Sequence, residues 1–381
     1  MSEAHNRPTI SEQLLARAVL TRSDLEQVLV VPLLAVVVAL IIGGFIMLAT
    51  GVPVQSIAQS YLALFTGSVG SLYAISETLT SATPLILAAL GLALGFKAGL
   101  FNIGAEGQMI LGGVGAVIVG FSLPGLPIYL HLPLALLAGT LGGAAWASIA
   151  GWLRAATGAH EVILTIMLNL TAQRLLTYLL RNPPIQNPAR SDPISKSVLD
   201  SARLPELLGW LDPNLRLDAG ILVAIAAVLV VYWLLFRTTL GFEFRASGAN
   251  PDAARYAGMR AGTIIVVVMG LSGALAGLAG ANQVLGVIGR VSPNFTGGIG
   301  FDAIAVALLG RSHPLGVLIS GLLFGALQAG GRQMQVSAGV SLDLIAVIQA
   351  LIIIFIAAPV LFRMALPWLF EAKAKPQVGG R

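Results

Sequence analysis

The residues best suited to chemistry sit where they are costly. Glu106 and Asp302 are carboxylates within or at the edge of apolar runs, and Asn102, Gln108, Asn169 and Asn282 put amides in similar surroundings. Such groups are expensive in hydrocarbon and are kept chiefly along solute or ion pathways. Asn102, Glu106 and Gln108 lie beside Gly99, Gly104 and Gly107, and irregular backbone in a membrane is tolerated only inside protein or along a cavity. Two readings of Glu106 stand: lining for a hydroxylated solute, or a structural partner of Lys97 or of a loop donor. Asn169 and Gln173, four apart, share a helical face and fit either pathway lining or interhelical hydrogen bonding. Asp302 opens a short apolar run, where a helix N-terminus favours its charge, and Asn282 with Gln283 closes another.

Covalent chemistry is not written here. A phosphate-cradling loop needs Gly before its Lys, and Lys97, Lys196, Lys373 and Lys375 each follow another residue. H-E-x-x-H and G-x-S-x-G are missing, and His5, His131, His160 and His313 show no ligand spacing. The sequence has no cysteine, which excludes disulfides, thiolate metal sites and iron–sulfur clusters. Neither catalysis nor a resident metal or cofactor is expected. Any active transport must draw its energy from another subunit or from an ion gradient.

The elements that position these groups are membrane helices. Of 381 residues, 56% are hydrophobic and only 10% charged, against about a quarter charged in soluble domains. Runs of about 20 apolar residues cross a bilayer, and ten candidates occur. They are Val28–Ala49, Leu79–Phe96, Ile103–Leu123, Leu132–Leu153, Val162–Leu180, Ala219–Phe236, Thr263–Leu285, Gly300–Leu309, Leu315–Ala329 and Leu342–Phe362. The eighth is half-length, a short buried span or a re-entrant segment. Ten crossings place fourteen of the 22 Lys and Arg on one side and seven on the other, with Arg174 inside a span. The positive-inside rule then puts both termini in the cytoplasm.

The expected architecture is an all-α polytopic bundle, residues 28–363, flanked by cytoplasmic tails 1–27 (with a surface helix around Ile10–Val19) and 364–381. Segments 50–76 and 124–131 read as external loops without cations, and 181–218, rich in Pro, Asn and Asp, as an external cap or docking surface. Asp343 fits a helix cap. The pairs Gly91/Gly95, Gly139/Gly143, Gly273/Gly277 and Gly321/Gly325 mark packing faces.

The predicted cytoplasmic loop 237–262 contains GFEFRASGANPDAARYAGMR. Asn250 fits an N-cap, Pro251 the first helical position, and Asp252 the positive end of the helix dipole. Gly258 suits a left-handed stop. A short, self-capped helix is expected, suited either to docking a partner or to a plain solvated turn.

Its core, RASGANPDAARYAG, resembles the coupling loop of the permease superfamily containing the ribose, branched-chain amino acid and nucleoside ABC importers. GLFNIGAEGQMILGG (Gly99–Gly113), EVILTIMLN (Glu161–Asn169), GFDAIAVALLGRSHPLGVL (Gly300–Leu318) and SLDLIAVIQALIIIF (Ser341–Phe355) resemble the nucleoside and simple-sugar branch. The resemblance implies a non-enzymatic permease subunit in the bacterial inner membrane, importing a nucleoside or related hydroxylated solute. A sugar or branched-chain amino acid permease is the alternative within the family, and an ion-coupled secondary transporter the alternative outside it. The implied partners are ABC ATPase subunits that bind the ATP, a second homologous permease, an extracytoplasmic solute-binding lipoprotein and the lipid bilayer, with no role for nucleic acid. Arg245, Gly248, Asn250, Pro251, Ala254, Arg255 and Gly258 would form the ATPase-coupling segment.

Overall fold

The computed structural model describes residues 31–357. The expected tails, the helix around Ile10–Val19 and the end of the tenth predicted span lie outside the described residues. The helices, in chain order, are α1 Val31–Ala49, α2 Val54–Val69, α3 Leu72–Lys97, α4 Ala105–Ser122, α5 Ile128–Thr157, α6 Glu161–Leu180, α7 Gly220–Arg237, α8 Thr239–Ala249, α9 Pro251–Tyr256, α10 Ala261–Asn282, α11 Ile299–Leu309, α12 Pro314–Ala338 and α13 Leu342–Ala357. A π-helical turn, Gln283–Ile288, extends α10. Among the described residues only two isolated β-bridges occur, Gln186 with Ser195 and Glu206 with Asp218. Seven helices among the described residues (α3 to α7, α10 with its π turn, and α12) are long and apolar enough to cross a membrane.

The chain forms two compact units. Within 31–357, the smaller holds residues 31–57 and 343–357, and is built from α1 and nearly all of α13. The larger, Ala58–Leu342, contains every group discussed below.

At the centre of the larger unit is α3, which is buried without interruption from Ala82 to Gly95. A helix apolar on all sides has no solvent face and belongs inside. Around it, α10 lies against α3, α4 and α5, and α12 against α3. Glycine makes these approaches possible. A Cβ on Gly143 of α5 would meet the Gly273 carbonyl of α10, and one on Gly277 would meet the Gly139 carbonyl. Gly325 of α12 rests on the Thr78 carbonyl of α3, at 2.6 Å from where its Cβ would stand, and Gly91 of α3 on the Ser272 carbonyl. Most of the expected glycine faces thus pack against backbone, as small-residue stripes do in bilayers, while Gly321 packs on the Ile86 side chain. Outward faces keep large apolar groups exposed, including Leu141, Leu170, Leu229 and Trp233, which suits lipid contact.

The region 50–76 departs from expectation. It holds α2 and the first turn of α3 rather than a loop. Its Ser, Thr and Gln residues, with Thr80 and Ser81 just beyond, depress hydropathy, but many of these hydroxyls bond within their own helix. Thr66 and Ser68 of α2 donate to the carbonyls of Leu62 and Phe65, each at 2.9 Å, and Thr80 and Ser81 of α3 to those of Ser76 and Glu77, each at 2.8 Å, so such residues fit a helix without stranding a polar group. Ser71 caps α3 by accepting from the Ala74 amide at 3.0 Å.

Candidate functional site

Between α3 and α4 the chain runs through Ala98–Gly104 without helix, and this break organises the site. One face of α6 holds it. Glu161, Thr165 and Asn169 recur every four residues, hence on one side of a helix. Glu161 accepts from the Phe101 amide at 3.1 Å and also pairs with Arg154. Thr165 accepts from the Ile103 amide at 3.3 Å. Asn169 donates to the Ile103 carbonyl and accepts from the Gly107 amide, both at 2.8 Å.

Asn102 closes the break from inside. It donates to Ser272 at 2.9 Å and to Gln108 at 3.2 Å, and accepts from the Gly104 amide at 2.8 Å and from Gln108 at 3.1 Å. Two donors and two acceptor positions are all an Asn amide has. Asn102 is fully buried and Gln108 nearly so. A fully satisfied buried network fixes one backbone course, because any unpaired member would be costly. The structure therefore brings Asn102, Gln108 and Asn169 together around the break.

Glu106 and Asp302 fall at a second junction. Glu106 lies in the first turn of α4 and accepts from the Thr296 hydroxyl and, at 2.9 Å, from the Gly300 amide in the first turn of α11. Its partners are these two, rather than Lys97. Two helix N-termini face one carboxylate, and both dipoles favour negative charge there. Asp302, two residues further in the same first turn of α11, accepts from Gln328 of α12 at 3.1 Å. At 11 residues α11 is about 16 Å long, half the ~30 Å hydrocarbon core. It turns into α12 through Gly310–His313, where Arg311 and Ser312 have positive φ.

Thr296 and Gln328 open onto a cavity of about 340 Å³. Its α3 wall presents Glu77, Thr80, Ser81 and Pro84, its far wall Gln283, Val287, Phe295 and Ile299, and Arg216 and Arg332 complete it. The cavity offers hydroxyls, amides, one aromatic ring and the charged Glu77, Arg216 and Arg332, a mixture suited to a polar, hydroxylated, partly flat solute. The sequence reading singles out none of its α3 residues. The signal is nevertheless present in the i, i+3, i+4, i+7 spacing of Glu77, Thr80, Ser81 and Pro84, on one helical face.

Asn282 stands apart. It donates to Asp218 at 3.2 Å, while its own buried Oδ1 has no hydrogen-bond partner. Asp218 also accepts from the Gly220 amide at 2.7 Å. Burial is the main influence on the Asp218 carboxyl and raises its pKa, with Glu206 adding to the shift against those two hydrogen bonds. The segment 181–218 is ordered on the bundle. Val198 and Leu204 donate from their amides to the carbonyls of Gly289 and Leu285, at 2.9 and 3.0 Å.

The 237–262 segment forms two helices where one was expected, because Thr238 caps α8 by accepting from the Gly241 amide at 3.1 Å. The second matches its local signals. Asn250 accepts from the Ala253 amide at 3.0 Å, Pro251 is at the first position, and Gly258 has φ +87°. Ala254 is buried, while Asp252 and Arg255 face outward. Gly248 of α8 lies on the backbone of Lys97–Gly99, too close for any Cβ. The Arg245 guanidinium sits 5.4 Å from the Phe236 ring, which lies 5.4 Å from the ring of His313 in the α11–α12 turn. Burial first, and Lys97 second, hold His313 below its ordinary pKa, which favours the uncharged ring. Thus α8 touches the break before α4 directly and reaches the turn after α11 through Phe236 of α7.

Fold and site together define a multi-pass helical membrane protein whose polar cavity lies between α3, the π turn after α10, the segment entering α11 and α12. The chain belongs to the family described as the branched-chain amino acid transport system / permease component, which it matches over residues 74–357. It is 40% identical to the guanosine ABC transporter permease protein NupP of Bacillus subtilis over 340 residues, covering 89% of this chain and 95% of the relative. It is 41% identical to the glucose ABC transporter permease protein TsgB13 of Haloferax volcanii, covering 87% and 88%. It is 38% identical to the nucleoside ABC transporter permease protein NupB of Lactococcus lactis, covering 90% and 94%. Each of these organisms also holds a second, more distant relative named as a permease or putative permease, 26 to 29% identical to this chain. No solved structure matches. The resemblance read from the motifs is borne out.

Proposed function

We propose that this chain is the membrane-spanning permease subunit of an ATP-driven importer, passing a nucleoside from an extracytoplasmic binding protein into the cytoplasm. The observation that carries the reading is the 40% identity to a guanosine permease over nearly the full length of both chains. The cavity agrees with it. Hydroxyl and amide groups of Thr80, Ser81, Gln283 and Gln328 suit a ribose or the polar base edge, and Phe295 supplies an aromatic surface. A second reading, a hexose permease, rests on the comparable identity to a glucose permease.

On this reading the chain sits in a bacterial inner membrane with both termini inside, ATP is bound and hydrolysed by partner subunits, and a second, homologous permease completes the pathway. The helices α8 and α9 dock the ATPase. Their motion reaches the cavity by two routes, through Gly248 on the break before α4 and through the Arg245–Phe236–His313 stack on the α11–α12 turn. The routes meet at Glu106, which joins α4 to α11. Asn102, Gln108 and Asn169 hold the moving parts, and Glu106, Asp302 and the cavity groups form the pathway.

The test is uptake of labelled guanosine by cells expressing the whole system, with unlabelled competitors. Competition by other nucleosides at concentrations where glucose and leucine have no effect is expected. Competition by glucose alone would assign the hexose reading.

A further inference from the structure

Three residues remote in sequence meet at one edge of the cavity. Glu77 of α3 faces Arg332 of α12 at 3.3 Å and Arg216, from the segment before α7, at 3.8 Å. All three line the cavity. We propose that Glu77 is the carboxylate of a gate on the translocation pathway, closing the cavity mouth by bridging Arg216 to Arg332.

The geometry is that of a contact made to open. Charge-assisted bonds between guanidinium and carboxylate in permanent pairs are about 2.7–2.9 Å, and both distances here are longer. Glu77 Oε1 is buried without a hydrogen bond, so this carboxylate depends on two guanidiniums that satisfy it poorly. Both guanidiniums are half exposed, so on separation they pass to water at little cost, as weak exposed pairs do. The backbone around Arg216 is itself held to α3 by polar contacts. The Thr80 hydroxyl reaches the Arg216 carbonyl at 3.3 Å, and Ser76 accepts from the Leu217 amide at 3.0 Å. Arg332 is steadied by donation to Ser81 at 2.8 Å. The Arg216 and Arg332 side chains can therefore swing away from Glu77 at this edge without moving the buried Leu215 and Leu217, while Glu106 still joins α4 to α11 beyond Thr296.

This inference rests on the transport reading, but its test does not need the solute. The native chain lacks cysteine, so a single Cys at Gln328, inside the cavity, reports access. The complete transporter, with its partner subunits in proteoliposomes, is treated with a membrane-impermeant thiol reagent from the side carrying segment 181–218. Labelling should quicken at least tenfold on adding Glu77→Gln, and similarly on adding Arg216→Gln with Arg332→Gln. The exchange Glu77→Arg with Arg332→Glu should return it toward the starting rate. Unchanged labelling in the neutralised variants overturns the gate, and so does fast labelling in the exchanged pair. Should Glu77→Gln fail to insert, the arginine variants, altered only at half-exposed groups, decide the question in the same way. Absence of guanosine uptake would count against the nucleoside reading while leaving the labelling result intact.

Discussion

Removing Asn169 should loosen the break before α4, and its cost follows from two bonds. Asn169→Ala strands the buried Gly107 amide and the half-buried Ile103 carbonyl, each now bonded at 2.8 Å. A buried group left unpaired costs about 1–3 kcal/mol, and a partly wet one nearer 0.5–1.5, giving roughly 2–4 kcal/mol in all. Gln173→Ala is the control. It occupies the same helical face one turn on, but Gln173 is exposed, and substitutions at such positions stay within about 0.5 kcal/mol. Unfolding free energy in bicelles, measured by steric trapping, reads the difference, and hydrogen exchange at Gly107 localises it. Equal stabilities for the two variants, or a Gly107 amide that stays protected in Asn169→Ala, would refute the assignment of α6 as the clamp on the break.

Three further outcomes are expected. Glu106→Gln removes a charged acceptor from Thr296 and Gly300; at about 1.5–3 kcal/mol for one charged hydrogen bond, uptake per inserted molecule should fall at least about tenfold. Ala254→Pro deletes the amide that donates to the Asn250 carbonyl at 3.0 Å, a change worth about 3 kcal/mol in a helix interior; uptake should fall while the binding protein still loads, and a Cys replacing Arg255 should crosslink to the ATPase subunit. Asp218 has a raised pKa in the folded protein, so the folded state holds its proton more tightly than the unfolded one, and stability contributed by that proton is present at low pH and lost as pH rises through the folded pKa. Asp218→Asn should flatten this part of a pH–stability curve measured from the ordinary carboxylate range upward, and an unaltered curve would show that Asp218 is not its source.

What was legible in the sequence was mostly local. Asn250, Pro251 and Gly258 specify α9 through atoms within a few residues of one another, and the glycine pairs announce packing because missing side chains have little other use. Glu106 and Asn169 could be recognised as unusual, since apolar surroundings make any polar group conspicuous. Their partners could not. Asn102 meets Ser272, and Glu106 meets Thr296 and Gly300, across separations that only the packing of α4 against α10 and α11 brings together. Glu77 was hidden for a different reason. The hydroxyls around it lower hydropathy, so the start of α3 read as loop, whereas those hydroxyls are satisfied by their own backbone.

The central claim is that this chain moves a nucleoside with energy supplied by separate ATPase subunits, and reconstitution tests it most directly. Proteoliposomes holding the permease pair, with or without the ATPase, are given guanosine-loaded binding protein on one side and ATP on the other. Accumulation above the external guanosine concentration is predicted only when both ATPase and ATP are present. Accumulation without the ATPase, driven by an imposed proton or sodium gradient, would contradict the account and make this chain an ion-coupled transporter.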